Sequence, residues 1–423
     1  MNKNIKLAVA GAVLALSASA NAGIIIPAGD WTLDINGNVN GYANFSKLKG
    51  TTNIDGGIVG ARQAHQDNNQ TISTGLLPAW IGFTGKTRQN DLDVEFTISM
   101  QPGIAANDIS GDGAFVNGTA SSNGSKVLNR QTYLSFGDKS WGSIKIGKDL
   151  GVFASDAILN DMTLLGVGSG VGANGPGTNT TNGGIGTGYI YAAWKGQIAY
   201  TTPNFNGFQA TVALTNPNQP FGVTRSVTTS GTGVYTESTV NQDRFGVEGK
   251  ASYSFSGDSM SGKLWVSGAS YDVTTSAASN TGYTATVADI GLNVNAGPFG
   301  LTGYYYKGEG VGTTLLGNEG TNSTNGKRDS DGGYLQATYK LPTATKIGLA
   351  YGVSKLDQVN SSDTTGANGY ALVSENNRIT LGAYHPITKH LNLVAEYNDV
   401  EAKTHSGLNN KQEIGSLGAI LFF

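Results

Sequence analysis

Leu92-Asp93-Val94-Glu95-Phe96-Thr97-Ile98-Ser99-Met100 carries an apolar side chain at every second position and an acid, a threonine or a serine between them. Successive side chains of an extended chain point to opposite faces, so this stretch reads as a strand with one apolar and one wet face. No helical wheel separates the two sets. The same holds upstream, where Leu33, Ile35, Val39, Ala43 and Phe45 share one face while Asp34, Asn36, Asn38, Asn40 and Asn44 share the other. A soluble sandwich and a membrane barrel both alternate in this way, so the solvent has to be decided on other grounds.

Composition supplies the first of these. The chain has 423 residues, 62 glycines, no cysteine and 13% charged side chains, against the ~25% usual for soluble domains. Mean hydropathy is −0.18, and past the N-terminus no run approaches the ~18 to 20 apolar residues of a membrane helix, which excludes a helical membrane protein. Thinly spread apolar residues alternating with Gly, Asn, Thr and Tyr fit a transmembrane antiparallel β-barrel. Without cysteine there is no disulfide framework, Cys-ligated zinc or thiol catalysis. A formal charge of −3 argues against a nucleic-acid partner.

Met1 to Lys6 gives a basic start, Leu7 to Leu16 an apolar stretch, and Ala20-Asn21-Ala22 an A-x-A cleavage site. Residues 1–22 therefore read as a signal peptide and 23–423 as the barrel domain, exported in a two-membrane bacterium. Further strands are expected near 78–85, 128–136, 141–148, 197–202, 207–214, 243–255, 263–273, 284–295, 299–307, 332–340, 346–355, 378–384, 391–401 and 412–423. With the first two this makes about sixteen, an even number as a single-chain bacterial barrel requires. Short links such as Gly137-Asp138-Lys139-Ser140 and Gly297-Pro298 carry turn chemistry. Long links over 49–77, 102–127, 215–242 and 308–330 are rich in Gly and Asn. Short and long links alternate, as two distinct rims demand. Gly415, Leu417, Ala419, Leu421 and Phe423 alternate up to a terminal aromatic, the pattern that barrel-assembly machinery reads as a last strand. Tyr253, Tyr334, Tyr339, Tyr351, Tyr384 and Tyr397 fall near strand ends, where interfacial girdles would sit.

Asn129-Arg130-Gln131-Thr132-Tyr133-Leu134-Ser135-Phe136-Gly137, Trp141-Gly142-Ser143-Ile144-Lys145-Ile146-Gly147-Lys148 and Ile198-Ala199-Tyr200-Thr201-Thr202-Pro203-Asn204-Phe205-Asn206-Gly207-Phe208 resemble the central hairpins of general trimeric porins of the neisserial and burkholderial type. The resemblance implies a sixteen-stranded homotrimeric barrel in outer-membrane lipid and lipopolysaccharide, whose third external loop folds inward and narrows the pore. That loop would be 150–194, with Asp156 and Asp161 as its acids, set against Arg130, Lys145 and Lys86 at the constriction. The implied function is passive diffusion of small hydrophilic solutes and ions, with no enzymatic activity and no cofactor.

With the apolar face outward, Asp34, Asp91, Asp93, Glu95, Arg244 and Arg378 fall on the lumen wall, together with Glu248, Lys250 and Glu396. Acids at Asp34, Asp91, Asp93, Glu95, Asp156 and Asp161 point toward cation preference, opposed by Lys86, Lys145, Arg244, Lys250 and Arg378. Strict alternation puts Arg130 with Leu134 and Phe136 on the lipid side, where a mid-membrane charge costs about 2 to 4 kcal/mol, so it is expected at the rim or turned inward. Gly170 to Gly175 spells G-x-G-x-x-G without a strand before it or a helix after it, and reads as loop. Asp108 to Gly113 begins like a calcium loop, but Thr119 stands where the bidentate Glu belongs, so no metal is assigned. The histidines lack a partner that would make a catalytic pair. Alternatives are a substrate-specific outer-membrane channel, which an aromatic path along the lumen would reveal, and a barrel enzyme.

Overall fold

The computed structural model describes residues 23–62, 67–104, 115–116, 119–120, 127–170, 180–216, 223–229, 233–239, 244–276, 281–322 and 324–423. Residues 1–22, read above as a signal peptide, His65, the 108–113 calcium-like stretch and all but the first residue of the 170–175 glycine motif lie outside them.

The period-two stretches form the wall. Its strands are β1 (Trp31–Lys49), β2 (Trp80–Gln89), β3 (Leu92–Pro102), β4 (Val127–Asp138), β5 (Gly142–Leu150), β6 (Trp194–Thr201), β7 (Phe208–Thr215) and β8 (Gly246–Ser256). They continue as β9 (Met260–Ser276), β10 (Thr281–Ala296), β11 (Phe299–Glu309), β12 (Asp329–Lys340), β13 (Lys346–Leu356), β14 (Ala371–Pro386), β15 (Leu391–Thr404) and β16 (Asn409–Phe422). Each pairs antiparallel with the next, and β16 returns to β1 from Asn38↔Phe422 to Lys49↔Lys411. The sixteen-stranded ring is closed, which removes the sheet edge that lipid could not satisfy.

The two faces separate as the alternation requires. Phe96, Ile98 and Met100 point outward and are exposed to the surroundings, while Thr97 and Ser99 are buried toward the interior. Tyr253, Tyr351 and Tyr397 are outward. Tyr334 and Tyr384 are not girdle residues: both are buried, because Leu335 beside Tyr334 takes the outward position and Tyr384 bonds to Glu396 inside.

One rim carries tight links, such as Gln89 to Leu92 and Ala296 to Phe299, and the other carries the loops. Two links on the loop side are short, Ser276 to Thr281 and Thr404 to Asn409, because their strands run past the apolar belt. Cross-strand charge pairs such as Glu401–Lys411 at 3.4 Å hold the second extension. The 49–80 link also carries structure. Ile54–Asp55 pairs with Ala371 and Leu372, and Asn68–Ser73 covers the upper half of β1, so β2 reaches β1 only from Thr32 to Asn38. Below Asn38, where β16 ends, Ile24–Ala28 takes over the free side of β1.

Candidate functional site

The link between β5 and β6 turns into the barrel. It forms the helix α1 (Ser155–Leu159) after a left-handed Ala154, then a 3₁₀ turn at Met162–Leu165 whose first N–H groups are capped by Asp161 through Thr163 N at 2.9 Å. Its side chains Phe153, Ala157, Ile158, Ile185, Tyr189 and Ile190 pack against the inward-facing Trp265, Tyr271, Val287, Tyr304 and Tyr334, forming an apolar core inside the barrel. The loop's poverty in charge follows: much of it is core, not a solvated rim.

Buried wall carboxylates hold the loop's backbone. Glu248 accepts the N–H groups of Val152 at 2.5 Å and Phe153 at 2.8 Å, and also pairs with Lys195 at 2.7 Å. Glu396 accepts Val167 N and Gly168 N, both at 2.9 Å, and the Tyr384 hydroxyl at 2.7 Å. Gln336, Tyr334 and Tyr42 add bonds to Met162 N, Ala157 O and Leu165 O. Sequence parity places Glu248 and Glu396 inside, yet only the loop's path shows that they are buried anchors rather than solvated wall charges.

Asp156 is paired with Lys250 at 2.9 Å and with Lys263. Asp161 accepts the Tyr189 hydroxyl and Gly184 N at 2.9 Å each, with Arg378 at 3.7 Å. Both acids are buried. Arg378 is buried too and bonds to Thr187 and Thr380 beneath the loop. Away from it, Asp91 sits in the tight turn after Asn90, and Asp93 pairs with Arg88 at the adjoining rim at 2.7 Å. Arg244 pairs with Asp272 at the opposite rim at 3.0 Å. Phe423 closes the last strand by exchanging backbone hydrogen bonds with Gly37 at 2.8 and 3.1 Å. His385 Nδ1 meets the hydroxyl of Thr345, at 2.9 Å. Among the described residues no three His, Asp or Glu side chains gather as a metal would need.

Because the loop packs against the wall from β8 to β15 and touches β1 at Tyr42, the open bore lies mainly on the side of β1 to β7. It is a cavity of about 1420 Å³ bordered by Lys86, Arg130, Lys145, Lys148 and Lys250, with Asp34 and Asp149 as acids. Lys86 lies 3.3 Å from Glu95, and Asp149 bonds to Lys145 and accepts Gln131 Nε2 at 2.9 Å. Arg130 corrects the alternation. Gln131 pairs with Ser99 and Asn129 with Met100, so Arg130 is the extra residue of a β-bulge and turns inward. Its guanidinium lies between Trp80 and Trp194, 4.8 and 4.4 Å from their ring centroids.

Solved outer-membrane proteins share this architecture. The outer membrane channel DcaP of Acinetobacter baumannii matches over 94% of this chain and 99% of its own, at 16% identity and a TM-score of 0.65. The anion-selective porin from Comamonas acidovorans matches over 93% and 100%, at 15% identity and 0.58. OmpF of Salmonella typhi, solved with daunomycin, matches over 95% and 100%, at 15% identity and 0.54. No curated protein sequence matches the chain. The model of the Gram-negative porin family matches residues 7–405. The chain belongs to that family, and is an outer-membrane channel for passive diffusion of small solutes.

Proposed function

We propose that this porin works as a homotrimer and passes anions in preference to cations. The observation that carries the reading is the charge of the bore: Lys86, Arg130, Lys145 and Lys148 border it against Asp34 and Asp149, with Glu95 beside Lys86, while Lys250 is matched by the buried loop acid Asp156 and Asp161 is held by Gly184 N and Arg378. Two of the acids that favoured cations in the sequence, Asp91 and Asp93, belong to a turn and its rim. A unit charge about 6 Å from a permeating ion contributes ~0.7 kcal/mol in water and is screened beyond ~10 Å at 0.1 M salt. The expected bias is therefore several-fold and not exclusive. Export through the 1–22 signal and recognition of Phe423 by assembly machinery belong to the same proposal.

Planar-bilayer recordings in a KCl gradient test it. An anion-directed reversal potential and conductance steps in triplets are expected. A cation-directed potential overturns the selectivity, single steps count against the trimer, and hydrolytic activity in purified protein without conductance overturns the channel reading.

A further inference from the structure

We infer that the bore carries a docking point for organic anions with a flat apolar body, such as aromatic carboxylates, built from Arg130, Trp80 and Trp194. The inference rests on the anion-preferring reading and names the solute class that profits from it. A pore that sorted small ions by charge alone would keep its bases hydrated. Arg130 instead has indoles at 4.8 and 4.4 Å, an arrangement that desolvates the cation without neutralising it. Its Nη1 donates to Gln131 Oε1 at 2.8 Å, and Gln131 donates to Asp149 at 2.9 Å, which fixes the guanidinium plane. Among the described residues the buried Nε of Arg130 and indole Nε1 of Trp80 meet no acceptor. Two donors that lack an acceptor beside an unneutralised cation suit a carboxylate.

The rest of the bore supplies the apolar half. The partly buried Leu159 of the loop and Leu77 beside it border the same cavity, backed by the buried Leu76, Ile158 and Leu164. Chloride gains nothing from that surface. A benzoate-sized anion covers it with its ring while its carboxylate meets Arg130, and the indole faces and edges offer stacking partners. Of the three aromatics that parity turns inward, Trp80, Trp265 and Tyr271, the last two are buried under the loop, while Trp80 borders the bore and flanks Arg130 together with Trp194.

Single-channel recording with benzoate as probe tests this, with acetate and benzyl alcohol as comparators that carry only the charge or only the ring. Benzoate at millimolar concentration is expected to interrupt the chloride current, and acetate and benzyl alcohol are not. Trp194→Phe should weaken the block modestly, Trp194→Ala by about tenfold, and Arg130→Gln should abolish it. Arg130→Lys, which keeps the charge and loses the plane, should lose most of it, and serves where the Gln variant fails to assemble. Equal effects of benzoate and acetate, or a block unchanged in these variants, overturn the inference while leaving a conducting anion channel in place. A cation-directed reversal potential overturns the reading beneath it.

Discussion

Glu248, on the barrel wall, accepts the backbone N–H of Phe153 at 2.8 Å, at the point where the constriction loop leaves β5. The loop is tied down at its root, and Glu396 ties it again at Val167 and Gly168. Hydrogen bonds to a charged acceptor contribute about 1.5 to 3 kcal/mol each, and removing a buried acceptor leaves its donors unsatisfied. Glu248→Ala also leaves Lys195 buried without its carboxylate. Either alanine variant should free part of the loop while the strand ladders keep the barrel closed. The expected readout is noisier single-channel current with heat-modifiability on gels retained. Quiet currents identical to wild type would sink the anchoring role.

The two loop acids, equivalent in the sequence, should separate by experiment. Asp156 neutralises Lys250, which borders the bore, whereas Asp161 caps the 3₁₀ turn and holds Tyr189 and Gly184. Asp156→Asn should shift the reversal potential further toward anions. Asp161→Asn should leave that potential nearly unchanged, increase current noise and lower thermal stability by about 1 kcal/mol, because the amide oxygen can still cap Thr163 N while the NH2 that replaces the second oxygen accepts neither the Tyr189 hydroxyl nor Gly184 N. A selectivity shift from Asp161→Asn alone would contradict this division.

Glycine placement gives a steric test of the same contact. A Cβ on Gly352, in β13, would lie 2.0 Å from the carbonyl oxygen of Thr187, so the loop backbone presses directly on the wall. Gly352→Ala must push the loop away, at a cost of about 1 to 3 kcal/mol typical of overpacking, and should break the Arg378–Thr187 bond. Conductance should change with the barrel still folded. An unchanged conductance and an unchanged melting temperature would show that the loop does not lie there.

What was legible in the sequence is what period two encodes. Leu92 to Met100 gives its own faces, and the inward loop is recognisable from its flanking hairpins. Parity fails where the backbone departs from regularity: one inserted residue turns Arg130 from the lipid side to the bore, and no local signal marks the bulge. Parity also cannot say what an inward side chain meets. Glu396 and Lys86 both read as lumen charges, yet one is buried under the loop and the other borders the bore. The Trp80–Arg130–Trp194 arrangement joins residues 50 and 64 positions apart, so pairwise spacing could not reveal it. The loop's low charge was visible, but its cause, an apolar core inside the barrel, needed the fold.

The loop rim offers a pH test. Arg328, between β11 and β12, donates to both oxygens of Asp363 at 2.8 and 2.6 Å and to Glu319 at 3.3 Å. Glu319 and Asp55 in turn accept Ala367 N and Tyr370 N, both at 3.1 Å, joining three loops. The Arg328 hydrogen bond holds the Asp363 carboxyl below the usual range, with His405 acting in the same direction, while burial, with Asp55 nearby, pushes Glu319 up. A depressed acid stabilises above its unfolded pKa and loses that contribution as pH falls through the folded value; a raised acid behaves oppositely. As pH falls, Glu319 should take its proton before an ordinary carboxylate does, without loosening the loops, and Asp363 should release Arg328 only below the ordinary carboxylate range. Amide exchange at Val359, Ala367 and Tyr370 should therefore remain slow at about pH 5 and accelerate below the ordinary carboxylate range. Arg328→Ala should give fast exchange already at neutral pH. Acceleration of the wild-type amides at pH 5 would show that Asp363 is not held by Arg328 in this way.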